Sequence, residues 1–382
     1  MANVLIIGKR GRCYRAALRM KHNVFLWSDG ALHESRKEKL AGWVETPFKS
    51  CDKGLLISDL ESIREFNIEF VIAATESSVN IAAMIREEFK LTGTPLNITN
   101  ILHNKNEMKL EALKYDIPIT KFHLITDKDA PEALVEKLGL PLVVKPVAES
   151  GARGVKVLNS LDEIKAHAKP GLLAEAFVEG SEVSVETFIH NGLPIFHNIT
   201  EYLHQWKKSI VPAAFEQDLE QVIIQINDRV ISGFGVRNGM THAEFYLTKS
   251  GPVFGEMAVR PPGGYYMELI EYAYGFNPWK TYVELETGTT PKPLPIKAKK
   301  FACVFMIHPG AGIVDQISGL ETLKELKEVE QFKCKVEAGT EVGERDSTSS
   351  EVVHVLMSAD SREVLLEKLK IVEDNLVIKL QQ

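Results

Sequence analysis

No segment of this sequence is apolar for long enough to cross a bilayer. The longest wholly apolar run, Phe301 to Ile307, falls far short of the roughly 20 residues a spanning helix needs. The chain enters a strand-like run, Val4 to Ile7, almost at once, without the apolar core of a signal peptide or the Arg/Ser-rich character of a transit segment. A cytoplasmic protein is therefore expected. Cysteine is scarce: Cys13, Cys51, Cys303 and Cys334 show no C-x-x-C and no Cys/His ligand spacing, which excludes a zinc site or disulfide framework and predicts reduced, mostly buried thiols. Net charge is −7 and the basic residues form no long run or stripe, so neither nucleic acid nor a membrane is an expected partner. A third glycine is also missing: Gly8 and Gly11 supply only the G-x-x-G part of a G-x-G-x-x-G fingerprint, which favours an ordinary strand-to-helix turn over a dinucleotide loop.

What is present is a length beyond one hydrophobic core, 382 residues, with 45% hydrophobic and 25% charged content. Strand and helix signals alternate over residues 1–100 (strands near Val4–Ile7, Asn23–Trp27 and Phe70–Ala74), predicting a small parallel α/β unit. Residues 101–180 read as a compact block with the size of a mobile flap, and residues 181–297 as a larger mixed unit. A proline- and lysine-rich connector, Pro291 to Lys300, then leads into an α+β module over residues 298–382.

One hairpin carries a geometric signal. Segments His242–Thr248 and Pro252–Ala258 flank Lys249, Ser250 and Gly251, and a three-residue loop with glycine third would set Thr248 opposite Pro252. Glu244 then lies opposite Glu256. Paired carboxylates repel on one sheet face, unless a cation such as Mg²⁺ sits between them; a solvated polar face is the plainer alternative. Arg260 follows Glu256 by four residues, on the same strand face if extension continues, and Gly263 and Gly264 allow close approach of an anion. A phosphoryl-stabilising role or a salt bridge to Glu244 or Glu256 would each suit that arginine.

Upstream, Lys145 ends an apolar strand, and Ser150, Gly151, Arg153 and Gly154 form a small glycine-bearing loop beyond it. Lys105 is either a second phosphate lysine or a solvated helix charge. Leu173–Val178, a glycine break at Gly180 and the alternation Glu182, Ser184, Glu186 read as two strands, the second with a half-buried polar face.

In this order, these elements resemble the ATP-grasp superfamily over roughly residues 100–270. The resemblance implies an ATP-grasp fold of mixed α/β and α+β domains, with an N-terminal pre-ATP-grasp unit and a C-terminal β-rich module. It implies that Lys105 and Lys145 contact ATP phosphates and that Ser150, Gly151 and Gly154 belong to a closing loop. Glu175 and the backbone of Ala176 to Val178 would meet adenine, and Glu182 the ribose. Glu244 and Glu256 would hold Mg²⁺ (or Mn²⁺), while Arg260, Gly263 and Gly264 would serve the acyl-phosphate and substrate. His242 either reaches the reacting phosphate or is a plain hairpin histidine. The aromatic and basic stretch Tyr202 to Lys208 is a substrate contact or a surface loop.

Many ATP-grasp enzymes carry Glu-x-Asn where this chain has Glu256 and Ala258, so either one metal position is completed by water or a bidentate Glu256, or only one ion binds tightly. The Glu-x-Ala-x-Arg pattern ending in two glycines resembles the L-amino-acid (dipeptide) ligases. That implies small-molecule carboxylate and amine substrates, joined through an acyl-phosphate, in a chain that is a candidate homodimer. A purine-biosynthesis ligase or carboxylase, and a silent nucleotide-binding module, are the competing readings.

Overall fold

The computed structural model describes all residues except 48–60, 62, 150, 152, 205, 206, 346, 348, 349 and 382. Four parallel strands form the first sheet, in the order Gly42–Glu45, Asn23–Ser28, Asn3–Ile7, Phe70–Ala73. Within the third of these, Val4–Ile7 is wholly apolar because both its faces are covered. Leu5 and Ile7 join one core with Phe245 and Phe254, whereas Val4 and Ile6 join another with Met267 and Tyr282. Gly8 earns its place by close approach: its φ is +107°, and a Cβ there would lie 2.7 Å from Thr75 Oγ1. Sequence patterning missed Gly42–Glu45, an edge strand of four residues with one buried side chain.

Residues 122–176 build a separate antiparallel sheet, ordered Phe122–Leu124, Leu172–Ala176, Leu142–Pro146, Lys156–Leu158. Helices Pro131–Leu138 and Leu161–His167 pack on it, around Leu134, Leu142, Leu158, Ile164 and Ala174. The first helix begins on a proline and the second is capped by Ser160, whose hydroxyl accepts from the Glu163 amide.

The central sheet has eight antiparallel strands: Gly251–Ala258, Gly239–Thr248, Ser181–His190, Leu193–His204, Lys208–Val211, Phe301–Ile307, Val353–Ala359 and Val329–Cys334. Lys208–Val211 pairs directly with Phe301–Ile307. The boundary expected at residue 297 therefore does not part the sheet, because the connector crosses only in sequence while the ladder runs on. Tyr202 to His204 and Lys208 likewise lie on paired strands rather than in a surface loop. A small sheet of Glu341–Val342, Gly312–Ser318 and Val377–Leu380 completes the C-terminal part. Among the described residues no helix is long and apolar enough to cross a membrane. Cys13 and Cys303 are buried thiols and Cys334 is half-buried; Cys51 lies outside the described residues.

Candidate active site

The hairpin reaches the expected pairing by a different route. Its loop has two residues, Lys249 and Ser250, so Thr248 faces Gly251 and Phe245 faces Phe254. A bulge at Gly255 then shifts the register, and Glu244 faces Glu256. Glycine suits that bulge because a Cβ would lie 3.1 Å from the Glu244 carbonyl oxygen and 3.2 Å from the Tyr246 ring. Each carboxylate has a cation beside it. Glu256 Oε2 is 3.1 Å from Lys105 Nζ, and Glu244 Oε1 is 3.3 Å from His242 Nε2. Burial opposes ionisation of Glu256, but Lys105 and Lys145 outweigh it and hold its pKa below the usual value.

Lys105 opens the helix Lys105–Leu113, where Asn104 caps the amides of Asn106 and Glu107. The Lys105 amide donates to the Val147 carbonyl at 2.8 Å, and its ammonium donates to the Glu149 carbonyl at 2.6 Å. One lysine thus ties the helix start, the glycine-bearing loop and Glu256 together. In that loop Arg153 pairs with Glu149 at 3.3 Å. Gly151 and Gly154 have φ of +67° and +73°, conformations that glycine adopts without strain. Ser150, expected to belong to the closing loop, lies outside the described residues.

Glu175, expected to meet adenine, lies beside two lysines. Its Oε1 lies 3.0 Å from Lys145 Nζ and 3.2 Å from Lys109 Nζ, so the carboxylate is spent between two lysines. The Lys109 contact is an ion pair by distance whose alignment does not make a hydrogen bond. Burial lowers the pKa of Lys109, which is only 1% exposed; burial also opposes the charge on Lys145, but Glu175 and Glu256 raise it above its ordinary value. Sequence reasoning assigned Lys109 no role. Its spacing of four from Lys105, one turn along a helix face, was the available signal. Nearby, the amides of Ala176 and Phe177 donate to the carbonyls of Lys121 and Pro141, at 2.9 and 3.3 Å. Glu182 stands opposite Tyr246 on the neighbouring strand.

His242 is held between two carboxylates. Its Nδ1 donates to Glu186 Oε1 at 2.9 Å while Nε2 points to Glu244. Burial disfavours the imidazolium, yet Glu186 and Glu244 raise its pKa to about 9. Glu186 is fully buried, not half-buried as alternation suggested, because helix Tyr266–Tyr274 lies over that face, with the Tyr274 hydroxyl donating to the neighbouring Asn198 Oδ1 at 3.2 Å. It accepts from Ser184 Oγ at 2.7 Å, Asn198 Nδ2 at 2.7 Å and Thr200 Oγ1 at 2.6 Å.

Arg260 does not continue the strand face, since the strand ends at Ala258. It turns toward the first domain, where Nε donates to Glu76 Oε2 at 2.5 Å. Gly263 and Gly264 follow in a loop that ends at Tyr265, whose φ is +65°. The Tyr265 hydroxyl donates to Glu351 Oε1 at 2.7 Å and lies 2.8 Å from His354 Nδ1, so the C-terminal part braces the glycine loop.

Together, a small lid sheet faces a large central sheet, with lysines and paired carboxylates at the seam, which is the ATP-grasp architecture. The ATP-grasp domain family matches residues 110–268, and L-amino acid ligase C-terminal domain 2 matches residues 304–381. The chain thus carries an ATP-grasp domain followed by an L-amino acid ligase C-terminal domain, and it is homologous to L-amino acid ligases. The L-arginine-specific L-amino acid ligase of Bacillus subtilis is 23% identical over 85% of this chain and 83% of its own length. A D-alanine–D-alanine ligase of Neisseria meningitidis is 30% identical, over 52% of this chain and 61% of its own. In fold, the L-amino acid ligase of Bacillus licheniformis superposes with a TM-score of 0.84 at 22% identity, covering both chains fully. N5-carboxyaminoimidazole ribonucleotide synthetase of Thermotoga maritima superposes at 0.79, with 18% identity and full coverage of both.

Proposed function

We propose that this protein is an ATP-dependent carbon–nitrogen ligase that joins the carboxylate of one amino acid to the amine of another. A carboxylate oxygen attacks the γ-phosphorus of ATP and the bond to ADP breaks. The amine nitrogen then attacks the acyl carbon, loses its proton, and phosphate departs with the bonding electrons of the acyl oxygen. The observation that carries this reading is the charge arrangement at the seam. Lys105, Lys109, Lys145 and His242 face Glu175, Glu186, Glu244 and Glu256, a balanced set of four cations and four carboxylates.

Glu244 and Glu256, side by side with hard oxygen donors, fit Mg²⁺, which characteristically takes one or two protein carboxylates plus nucleotide phosphates. Among the described residues no third acidic, histidine or cysteine ligand joins them, consistent with Ala258 and with coordination completed by phosphate and water. The ion, when bound, neutralises charge on the transferring phosphoryl group. Lys105 and Lys145 are then released toward the phosphates, and Lys109 stays as the counter-charge of Glu175. Ala176 to Val178 lie at the adenine edge, where Val178 has the amide that donates to no other described backbone group; Glu182 lies toward the ribose.

His242, a cation at neutral pH, supplies charge and holds Glu244 in place rather than taking a proton. Arg260, with Gly263 and Gly264, receives the acyl-phosphate and the tetrahedral species after it. Residues 101–180, including Ser150, Gly151 and Gly154, act as a lid that shields the acyl-phosphate from water.

The test is acid activation in the presence of Mg-ATP and hydroxylamine, screened across amino acids. Amino-acid-dependent hydroxamate and ADP are expected, both lost in Glu256→Gln with the fold retained. Full turnover by that variant would refute the metal assignment, and ADP release that ignores the added acid would refute ligation.

A further inference from the structure

Three arginines stand near the junction of the first domain with the glycine loop and the helix after it, and their partners differ. Arg12 pairs with Glu268 at 3.2 Å and Glu271 at 2.9 Å, and Arg260 pairs with Glu76. Arg10 stands at the end of strand Asn3–Ile7, just before the helix Gly11–Arg19, and is half-buried. Among the described residues its guanidinium has no ion pair and no hydrogen bond. It lies against the proposed acyl site: a Cβ built on Gly263 would be 4.0 Å from Arg10 Nη2. Burial and the neighbouring Arg260 charge both lower its pKa, while Glu268, already engaged by Arg12, compensates in part. A guanidinium beside the glycine loop, with a second arginine charge near it and no protein carboxylate of its own, makes a site short of one anion.

On the reading that this is an amino-acid ligase, we propose that Arg10 binds the free carboxylate of the amine-donating amino acid. The chemistry selects that group. The activated carboxylate loses its charge as the acyl-phosphate and then the amide form, and Arg260 follows it through those changes. The carboxylate of the amine donor keeps its full negative charge from binding to product. A guanidinium uncommitted within the protein matches a charge that persists, and a planar fork can hold it in two parallel hydrogen bonds. Arg10 is thus a specificity-determining residue that distinguishes amino acids from simple amines as acceptors.

The experiment compares wild type with Arg10→Gln and Arg10→Lys. Each is assayed for phosphate release with the activated acid saturating, against an acceptor amino acid, its carboxamide, and hydroxylamine. In Arg10→Gln, KM for the acceptor amino acid should rise at least tenfold, with KM for the carboxamide moving less than twofold. Arg10→Lys should recover part of the loss. Equal losses with amino acid and carboxamide, a KM rise confined to the activated acid, or no change at all would each overturn the proposal. Failure of wild type to form any hydroxamate would instead sink the ligase reading, and this inference with it.

Discussion

Arg260 donates through Nε to Oε2 of Glu76, a residue 184 positions earlier, at 2.5 Å. The contact spans two domains, with the arginine side chain only 15% exposed and the glutamate 27%. Such a charge-assisted bond fixes the direction of a guanidinium as well as its energy. Glu76→Gln keeps the shape and removes the charge. The rate of hydroxamate formation should fall roughly tenfold or more, the scale of losing a charged hydrogen bond of ~1.5–3 kcal/mol. Arg260→Lys combined with Glu76→Gln should cost less than the sum of the two single losses, because both disrupt one unit. Strict additivity in that cycle would mean the two residues act independently.

Glu186 is the acceptor for Ser184, Asn198, Thr200 and His242, all within the sheet interior. Glu186→Leu leaves four buried donors without their partner. The expected cost is ~3–5 kcal/mol, as for breaking a buried charged pair from one side, visible as a lowered urea midpoint. Glu186→Gln, which keeps one acceptor oxygen, should lose less. A leucine variant as stable as wild type would show that the network adds nothing to the fold.

The brace behind the glycine loop has a pH signature. Burial works against the charge of Glu351, but His354, Lys335 and Tyr265 outweigh it and draw its pKa from 4.5 down to about 2. Between those values the unfolded chain binds the proton and the folded chain does not. The stability Glu351 contributes is therefore complete above about pH 4.5 and is lost as pH falls toward about 2. Urea midpoints measured from pH 6 to 2.5 should drop less steeply for Glu351→Gln than for wild type. Parallel acid limbs would show that Glu351 titrates alike in both states.

Gly180 precedes strand Ser181–His190, and a Cβ there would stand 2.4 Å from the Leu247 carbonyl oxygen. Backbone cannot step aside as a flexible side chain can. Gly180→Ala should destabilise by ~1–3 kcal/mol, the usual scale of overpacking, and loosen the hairpin edge that carries Glu244. Gly171→Ala is the contrasting variant, with φ +86° but nothing within 4 Å of its Cβ. Thermal melts of the two should separate contact strain from backbone strain, with Gly180→Ala the less stable. Equal melting temperatures would show that the Leu247 carbonyl gives way freely.

What the sequence determined by itself was local and periodic. Apolar runs located three of the four strands of the parallel sheet, the helix that begins at Lys105 and the lid strands carrying Lys145 and Glu175, since patterning acts over a few residues. The facing of Glu244 and Glu256 was legible, although a three-residue loop suggests it where the molecule has a two-residue loop plus a bulge at Gly255. Side-chain partners were decided only by tertiary structure. Arg260 finds Glu76, Glu175 sits between Lys109 and Lys145, and His242 is clasped by Glu186 as well as Glu244. A charged side chain brought out of water must be matched by whatever the fold sets within a few ångströms. That partner comes from a strand or domain whose distance along the chain carries no information about its distance in space.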